Sequence, residues 1–347
     1  MKIRVATALM GFLLLCGFYE AQKKYTLDFP SHFPKPAYDF KKNPLSKEKI
    51  LLGRALFYDP ILSKDNSISC ASCHSSYNAF AHTDHDLSHG IGDSIGTRNA
   101  PALFNLAWQN VFMWDGAVNH LDVQALAPIT HPKEMGEDLK NVVAKLRKSN
   151  IYPKLFYAAF KDSSITGEQI LKSLSQFQLT LISSESKYDK VSREEGTFTE
   201  QEKNGYSLFL KHCVSCHKEP LFSTYEFASN GLPVDTTLND YGKWMITKQS
   251  NDSLKFKIPS LRNLKYTYPY MHDGRFKKLS EVLNHYTKGI SQGAVTDERL
   301  KEPIKLNADQ KADLIAFLNT LNDETFVFNP DFQYPKNILQ AAEGNQK

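Results

Sequence analysis

The chain has 347 residues, 41% of them apolar and 23% charged, an ordinary globular balance that excludes disordered, collagen-like and membrane-bundle classes. Its length accommodates two domains or one large one. Against 42 Lys and Arg stand 38 Asp and Glu, a net charge of +4, so the concentrated basic surface of a nucleic-acid binder is missing and nucleic acid is excluded as a partner.

In chain order, the first predicted element is an export segment. Lys2 and Arg4 precede an apolar run from Val5 to Phe18, which Tyr19, Glu20, Gln22, Lys23 and Lys24 end. The run is shorter than the roughly 20 residues of a spanning helix. A basic flank before a short apolar stretch reads as a secretory signal over residues 1–22. Leu14-Leu15-Cys16-Gly17 is an alternative lipoprotein cleavage site, although Leu15 is bulky where such sites take a small residue. The protein is expected to be exported, periplasmic, and either free or lipid-anchored.

A helix is predicted over Lys47–Phe57, where apolar residues recur at helical intervals. It is followed by Cys70-Ala71-Ser72-Cys73-His74. Asp138–Arg147 and Gly167–Ser183 read as amphipathic helices, and polar Ser184–Asp189 as a linker. Thr199–Leu210 is a further helix whose Thr199 and Glu202 form a capping-box pattern. Cys213-Val214-Ser215-Cys216-His217 repeats the earlier motif, and Ala308–Leu321 closes the series with another amphipathic helix. Alternating strand patterns are scarce.

Cys-x-x-Cys-His is the attachment signature of c-type haem. Two thiols reach the two vinyl groups of one porphyrin, and the next His gives an imidazole nitrogen to iron. Five cysteines and 11 histidines in 347 positions predict about 0.002 copies by chance; there are two. A zinc site fits poorly when the pairs lie 143 positions apart and each is followed at once by His. Disulfides leave both histidines without a role. The expected fold class is mostly α: two cytochrome c-like haem domains related as a degenerate repeat, residues 23–190 and 191–347, each with one covalent haem c.

Between and after these motifs the chain resembles the bacterial dihaem cytochrome c peroxidase family, which includes the MauG-type enzymes of methylamine utilisation. The resemblance spans about residues 45–325 and is carried by Arg98-Asn99-Ala100-Pro101, Trp114-Asp115-Gly116, Gln124-Ala125 and Pro132-Lys133-Glu134-Met135 in the first half. In the second half it is carried by Pro259-Ser260-Leu261-Arg262-Asn263 and Pro269-Tyr270-Met271-His272-Asp273-Gly274. It implies that Glu134 is the acid–base group of peroxide cleavage, with Gln124 beside it in the distal pocket of the first haem, and that Trp114 lies between the two haems. It further implies a haem propionate as the partner of Arg262 and a calcium ion on Asn99, Thr267 and Pro269.

Peroxidase members carry a releasable histidine ligand in the loop after the first motif, which makes His82, His85 and His89 candidates. Gly90, Gly92 and Gly96 in that loop do not have dinucleotide-fingerprint spacing. For the second haem, peroxidase members place a methionine fourteen residues after the His of the Pro-Tyr-x-His segment. From His272 that count arrives at Tyr286, and no methionine follows Met271. MauG-type members have tyrosine here; His285 and Met271 are the alternatives. A phenolate favours Fe(III), whereas a thioether raises the potential. In the methylamine enzyme a surface tryptophan passes oxidation to its partner, and Lys211 stands at that position here.

The resemblance thus implies an oxidoreductase activating hydrogen peroxide with cytochrome c peroxidase activity, its electrons coming from a small exported cytochrome c or copper protein. The alternatives are a MauG-like oxidase of a protein or small molecule and a non-catalytic electron carrier or redox sensor. The oligomeric state is not legible from sequence.

Overall fold

A computed structural model describes residues 25–343; the export segment and Cys16 lie outside the described residues. The first half runs through α1 (Lys47–Tyr58), α2 (Cys70–Cys73), α3 (Leu121–Gln124), α4 (Leu126–Thr130), α5 (Leu139–Lys148), α6 (Tyr152–Phe160) and α7 (Gly167–Leu179). A short helix, α8 (Lys187–Ser192), leads to α9 (Glu200–His212), α10 (Trp244–Thr247), α11 (Leu279–Asn284), α12 (Ala308–Asn319), α13 (Glu324–Val327) and α14 (Lys336–Glu343). Strands β1 (Phe227–Ala228) and β2 (Phe256–Lys257) pair antiparallel, with Phe227 opposite Lys257. The fold is mostly α, as expected.

Local signals set the helix starts. The Ser46 hydroxyl accepts from Lys49 N at the start of α1, and capping boxes open α7 (Thr166 with Gln169), α9 (Thr199 with Glu202) and α12 (Asn307 with Gln310). Helix α7 stops at Leu179, short of the expected Ser183. The chain beyond it is bound from outside: the Leu181 carbonyl accepts Asn105 N at 2.8 Å, and Asn105 Oδ1 accepts Ser183 N at 2.9 Å.

The two halves repeat one packing device. A Cβ added at Gly53 in α1 would stand 1.9 Å from the Ser173 carbonyl oxygen of α7, and one at Gly205 in α9 would stand 2.0 Å from that of Asp313 in α12. Glycine lets each helix pair cross in backbone contact. Around the first crossing, Leu52, Leu56, Phe57, Phe177 and Leu174 are fully or almost fully buried; around the second, Phe209, Phe222, Phe317 and Leu321 are. Residues beyond 323 return to the first core, where Phe326, Val327 and Leu339 join it and Arg54 and Tyr58 bond the backbone of Pro330, Phe332 and Gln333.

The segment expected to be a polar linker is instead a buried junction. Ser186 is 1% exposed and Asp189 0%. Asp189 pairs with the Arg262 guanidinium through two contacts of 2.7 Å and accepts from His32 Nε2 at 2.9 Å. Asp323 accepts the backbone N–H groups of Ser184 and Glu185, both at 2.9 Å. Polar residues are buried here because each finds a partner, which composition cannot reveal. Arg98 adds a second clasp between the halves, bonding Asp115 at 2.6 Å and Asp240 at 2.6 and 2.8 Å.

Candidate functional site

The first motif is itself the helical turn α2, which brings Cys70 and Cys73 to one face, three residues apart. His74 follows as its cap, donating its backbone N–H to Cys70 O. The His74 ring donates from Nδ1 to Phe80 O at 2.9 Å. In the second half, His217 directs Nδ1 to Phe222 O at 3.2 Å and Pro259 O at 3.1 Å. A backbone acceptor on Nδ1 selects the tautomer that leaves the Nε2 lone pair for a metal. Burial pushes both imidazoles down to about 4, so both are neutral, the ligating form. Cys70, Cys73, Cys213 and Cys216 form no disulfides.

Sequence reasoning missed the residues that hold these imidazoles. Phe80 and Phe222 both take left-handed backbone conformations, with φ of 59° and 54°. Non-glycine residues adopt that region at a cost of order 1 kcal/mol or more, and here it accompanies a carbonyl presented to the histidine. The available signal was a phenylalanine six residues after His74 and five after His217.

Cys70, Cys73 and His74 share one pocket with Gln124, Glu134 and His89. Gln124 ends α3, and Glu134 lies on the loop after α4. The Glu134 carboxyl is pushed above its ordinary range by burial, against the pull of His131, whose Nδ1 lies 3.8 Å away; two-fifths of the Glu134 side chain remains exposed. The glycine-rich loop packs against this segment: Ile91 N donates to Glu134 O at 2.8 Å, and a Cβ at Gly90 would collide with Lys133 O. The three loop histidines stack, His82 on His85 at 5.2 Å and His85 on His89 at 4.1 Å between centroids. Among the described residues, His89 is the one of the three that lines the pocket.

A larger cavity, about 280 Å³, opens over the second motif and is lined by Cys213, Cys216, His217, Trp114, Met271 and Tyr286. Gln124 and Leu103 line both cavities and so lie between them. The Trp114 indole donates to Asn99 O at 2.9 Å. Tyr286 sits on a π-helical turn, His285–Gly289, after α11, a distortion frequent at functional sites. Burial pushes its phenol up to about 12, although Asn230 draws it down. Of the alternatives, Met271 also lines the cavity and its sulfur accepts from Asn230 Nδ2 at 3.5 Å; His285 does not, and its Nε2 bonds Asn230 O at 2.9 Å.

Asn99, Thr267 and Pro269, the residues to which the resemblance assigns calcium, all line this cavity. Asn99 donates from Nδ2 to Asp86 O at 3.0 Å, which leaves its Oδ1 as an acceptor. No cluster of three His, Cys, Asp or Glu able to hold a metal occurs among the described residues. The resemblance assigns Arg262 a haem propionate, but the carboxylate paired with it is that of Asp189. The guanidinium is fully buried and also donates to Pro220 O at 3.0 and 2.7 Å. The junction imposes this, because a carboxylate buried as deeply as Asp189 requires a cation. Lys211 is exposed.

Two cavities, each with paired thiols and a neutral imidazole already bonded at Nδ1, fit two c-type haems. Orphaned polar atoms agree. Gln178 Oε1 and Tyr225 Oη are buried without a hydrogen-bond partner among the described residues, and they line the first and second cavity respectively.

Residues 47–197 match the family model for di-haem cytochrome c peroxidase, and residues 202–322 match that for cytochrome c. The methylamine utilization protein MauG of Methylorubrum extorquens is 36% identical over 303 residues, covering 85% of this chain and 83% of that protein. Cytochrome c551 peroxidase of Nitrosomonas europaea is 32% identical over 301 residues, with 84% of each chain covered. A crystal structure of a MauG-like protein associated with microbial copper homeostasis is 33% identical and superimposes with a TM-score of 0.81 over 90% of this chain and 99% of that one. Matched in both halves, and over more than four-fifths of its length by relatives sharing a third of its residues, the chain belongs to the di-haem cytochrome c peroxidase and MauG family of c-type oxidoreductases.

Proposed function

We propose that the protein reduces hydrogen peroxide at the first haem, using electrons that enter through the second haem from a small exported cytochrome c or copper protein. The carrying observation is that Glu134 shares a pocket with Cys70, Cys73 and His74. When bound, haem iron supplies an open coordination position and the redox capacity. His74, neutral and held at Nδ1 by Phe80, would hold the iron through its free Nε2. Glu134 takes a proton from peroxide and returns it to the departing oxygen, so that the O–O bond breaks with water as leaving group. A carboxyl raised above its ordinary range serves both steps near neutral pH better than one within that range. Gln124 supplies an amide donor on the same side. Trp114, fixed by its bond to Asn99 and lining the cavity of the second motif, gives that centre an oxidisable ring through which electrons pass toward the first. Two electrons from the donor and two protons complete the conversion of peroxide to two waters. Calcium on Asn99, Thr267 and Pro269, and export to the periplasm by the segment over residues 1–22, belong to the same proposal; among the described residues no helix is long and apolar enough to cross a membrane.

The direct test is steady-state peroxide turnover with reduced donor proteins of both kinds, and no turnover with either would overturn the proposal. The purified, denatured protein is expected to keep its haem and to give two per polypeptide in a pyridine haemochrome assay. A value of one or zero would remove the architecture.

One observation favours a second, MauG-like reading, in which a protein or small molecule is oxidised: Tyr286 lines the cavity of Cys213, Cys216 and His217. If its phenolate ligates iron there, the ferric protein has one low-spin His–Tyr centre with a depressed reduction potential. Tyr286→Phe is then expected to abolish that low-spin signal in electron paramagnetic resonance and to raise the potential. Identical ferric spectra from wild type and variant would make Tyr286 a packing residue and leave the peroxidase reading alone.

A further inference from the structure

Two polar side chains lining the large cavity stand out, a buried lysine without a counter-charge and a buried hydroxyl without a hydrogen-bond partner among the described residues, and the chemistry proposed above uses neither. Lys257 ends β2, where its backbone N–H donates to the Trp114 carbonyl at 2.7 Å. Its Nζ donates to Gln109 Oε1 at 2.7 Å and to Val111 O at 3.0 Å, both neutral acceptors. An ammonium has three donors; beyond these two acceptors it has, among the described residues, only the face of the Phe112 ring, 5.8 Å away at the centroid. No carboxylate among the described residues forms an ion pair with it. Asp115 attracts it only from a distance and is itself paired with Arg98. Burial pushes the ammonium down to about 7, as expected of a cation desolvated without a counter-charge. The second side chain is Tyr225, whose buried hydroxyl has no hydrogen-bond partner among the described residues.

The rest of the lining makes these two donors distinctive. No Asp or Glu contributes to it among the described residues, and its other long cation, Arg262, is committed to Asp189 and Pro220. The walls are otherwise largely apolar. An apolar chamber with one ammonium lacking a counter-charge and one hydroxyl lacking a partner suits a flat apolar body that carries carboxylates.

We propose that Lys257 and Tyr225 form the carboxylate cradle of this cavity, the ammonium pairing with a propionate of the second haem and the hydroxyl donating to a propionate oxygen. The proposal rests on the haem reading above and gives to Lys257 the role that the resemblance assigns to Arg262. It also carries an electronic consequence. A cation beside the ring disfavours the ferric state, which bears one more positive charge than the ferrous state, so Lys257 holds the potential of this centre up.

The test uses haem-loaded wild type, Lys257→Met, Lys257→Arg and Tyr225→Phe, with haem content measured first. Wild type without covalent haem would overturn the haem reading and this one together; two haems per chain isolate the cradle. Lys257→Met is expected to shift the reduction equilibrium of one haem about tenfold toward Fe(III), which is 59 mV for a one-electron couple. Lys257→Arg restores most of that shift, and Tyr225→Phe gives a smaller one in the same direction. The propionate bending bands in resonance Raman spectra move in Lys257→Met and Tyr225→Phe, which a purely structural lysine would not cause. Unmoved potentials and bands in both variants overturn the cradle. If Lys257→Met does not fold, the near-isosteric Tyr225→Phe decides, and an unmoved propionate band there overturns it.

Discussion

Replacing Glu134 by glutamine is expected to slow peroxide turnover by about 10²–10⁴-fold, a barrier increase of about 3–5 kcal/mol. Glutamine keeps the size and polarity of the side chain but can neither take nor return a proton. Haem content and ferric spectra should match wild type, and the loss should fall on kcat rather than on peroxide binding. The pH profile adds a second check. Burial raises the Glu134 carboxyl, so its base form appears, and turnover climbs, above the ordinary carboxylate range. His131 opposes that rise from 3.8 Å; His131→Ala should therefore move the acid limb to still higher pH. Unchanged turnover in Glu134→Gln would assign the proton transfer elsewhere.

The largest expected loss of stability is at the junction. Asp189→Asn leaves the fully buried Arg262 guanidinium without a carboxylate and is expected to cost about 3–5 kcal/mol, measured by denaturant titration of the haem-loaded protein. Arg262→Met combined with Asp189→Leu should cost less than Asp189→Asn alone, because it removes both charges together. Acid should expose the same pair. Burial pushes the Asp189 carboxyl up, but the bonds and charge of Arg262 outweigh this and hold it at about 2. A carboxyl held below its unfolded pKa adds stability above about pH 4, and that stability is lost as pH falls toward 2. It amounts to about 2 kcal/mol, and Asp189→Asn should flatten this acid limb. A full acid limb in Asp189→Asn would show that other carboxylates govern it. The exposed Lys203–Glu200 pair, a control, should change stability by less than about 1 kcal/mol when broken.

What the sequence by itself determined is what is local. Cys-x-x-Cys-His is five contiguous residues whose spacing follows from the geometry of one porphyrin, so both attachment motifs were legible without a fold. Helix α9 began where Thr199 and Glu202 indicated, because a capping box is complete within four residues. Glu134, Gln124 and Trp114 became candidates through family resemblance alone; their types and spacings are unremarkable.

Only the tertiary structure decided matters of partnership. Ser184–Asp189 looked like a linker because polarity correlates with exposure, yet Asp189 is buried by an arginine 73 positions away. Arg262 looked available for a propionate until that same contact appeared. Phe80 and Phe222 hold the two imidazoles with main-chain carbonyls, which no side-chain pattern encodes. His285 and Tyr286, adjacent in sequence, part company: one bonds the Asn230 carbonyl and the other lines the cavity. Lys257 and Tyr225, one lysine among many and one tyrosine of sixteen, became notable only inside an apolar chamber, the one without a counter-charge and the other without a hydrogen-bond partner among the described residues. The physical reason is common to all of these. A residue's burial and its hydrogen-bond partner depend on which distant segment packs against it, and that is settled by the whole chain at once.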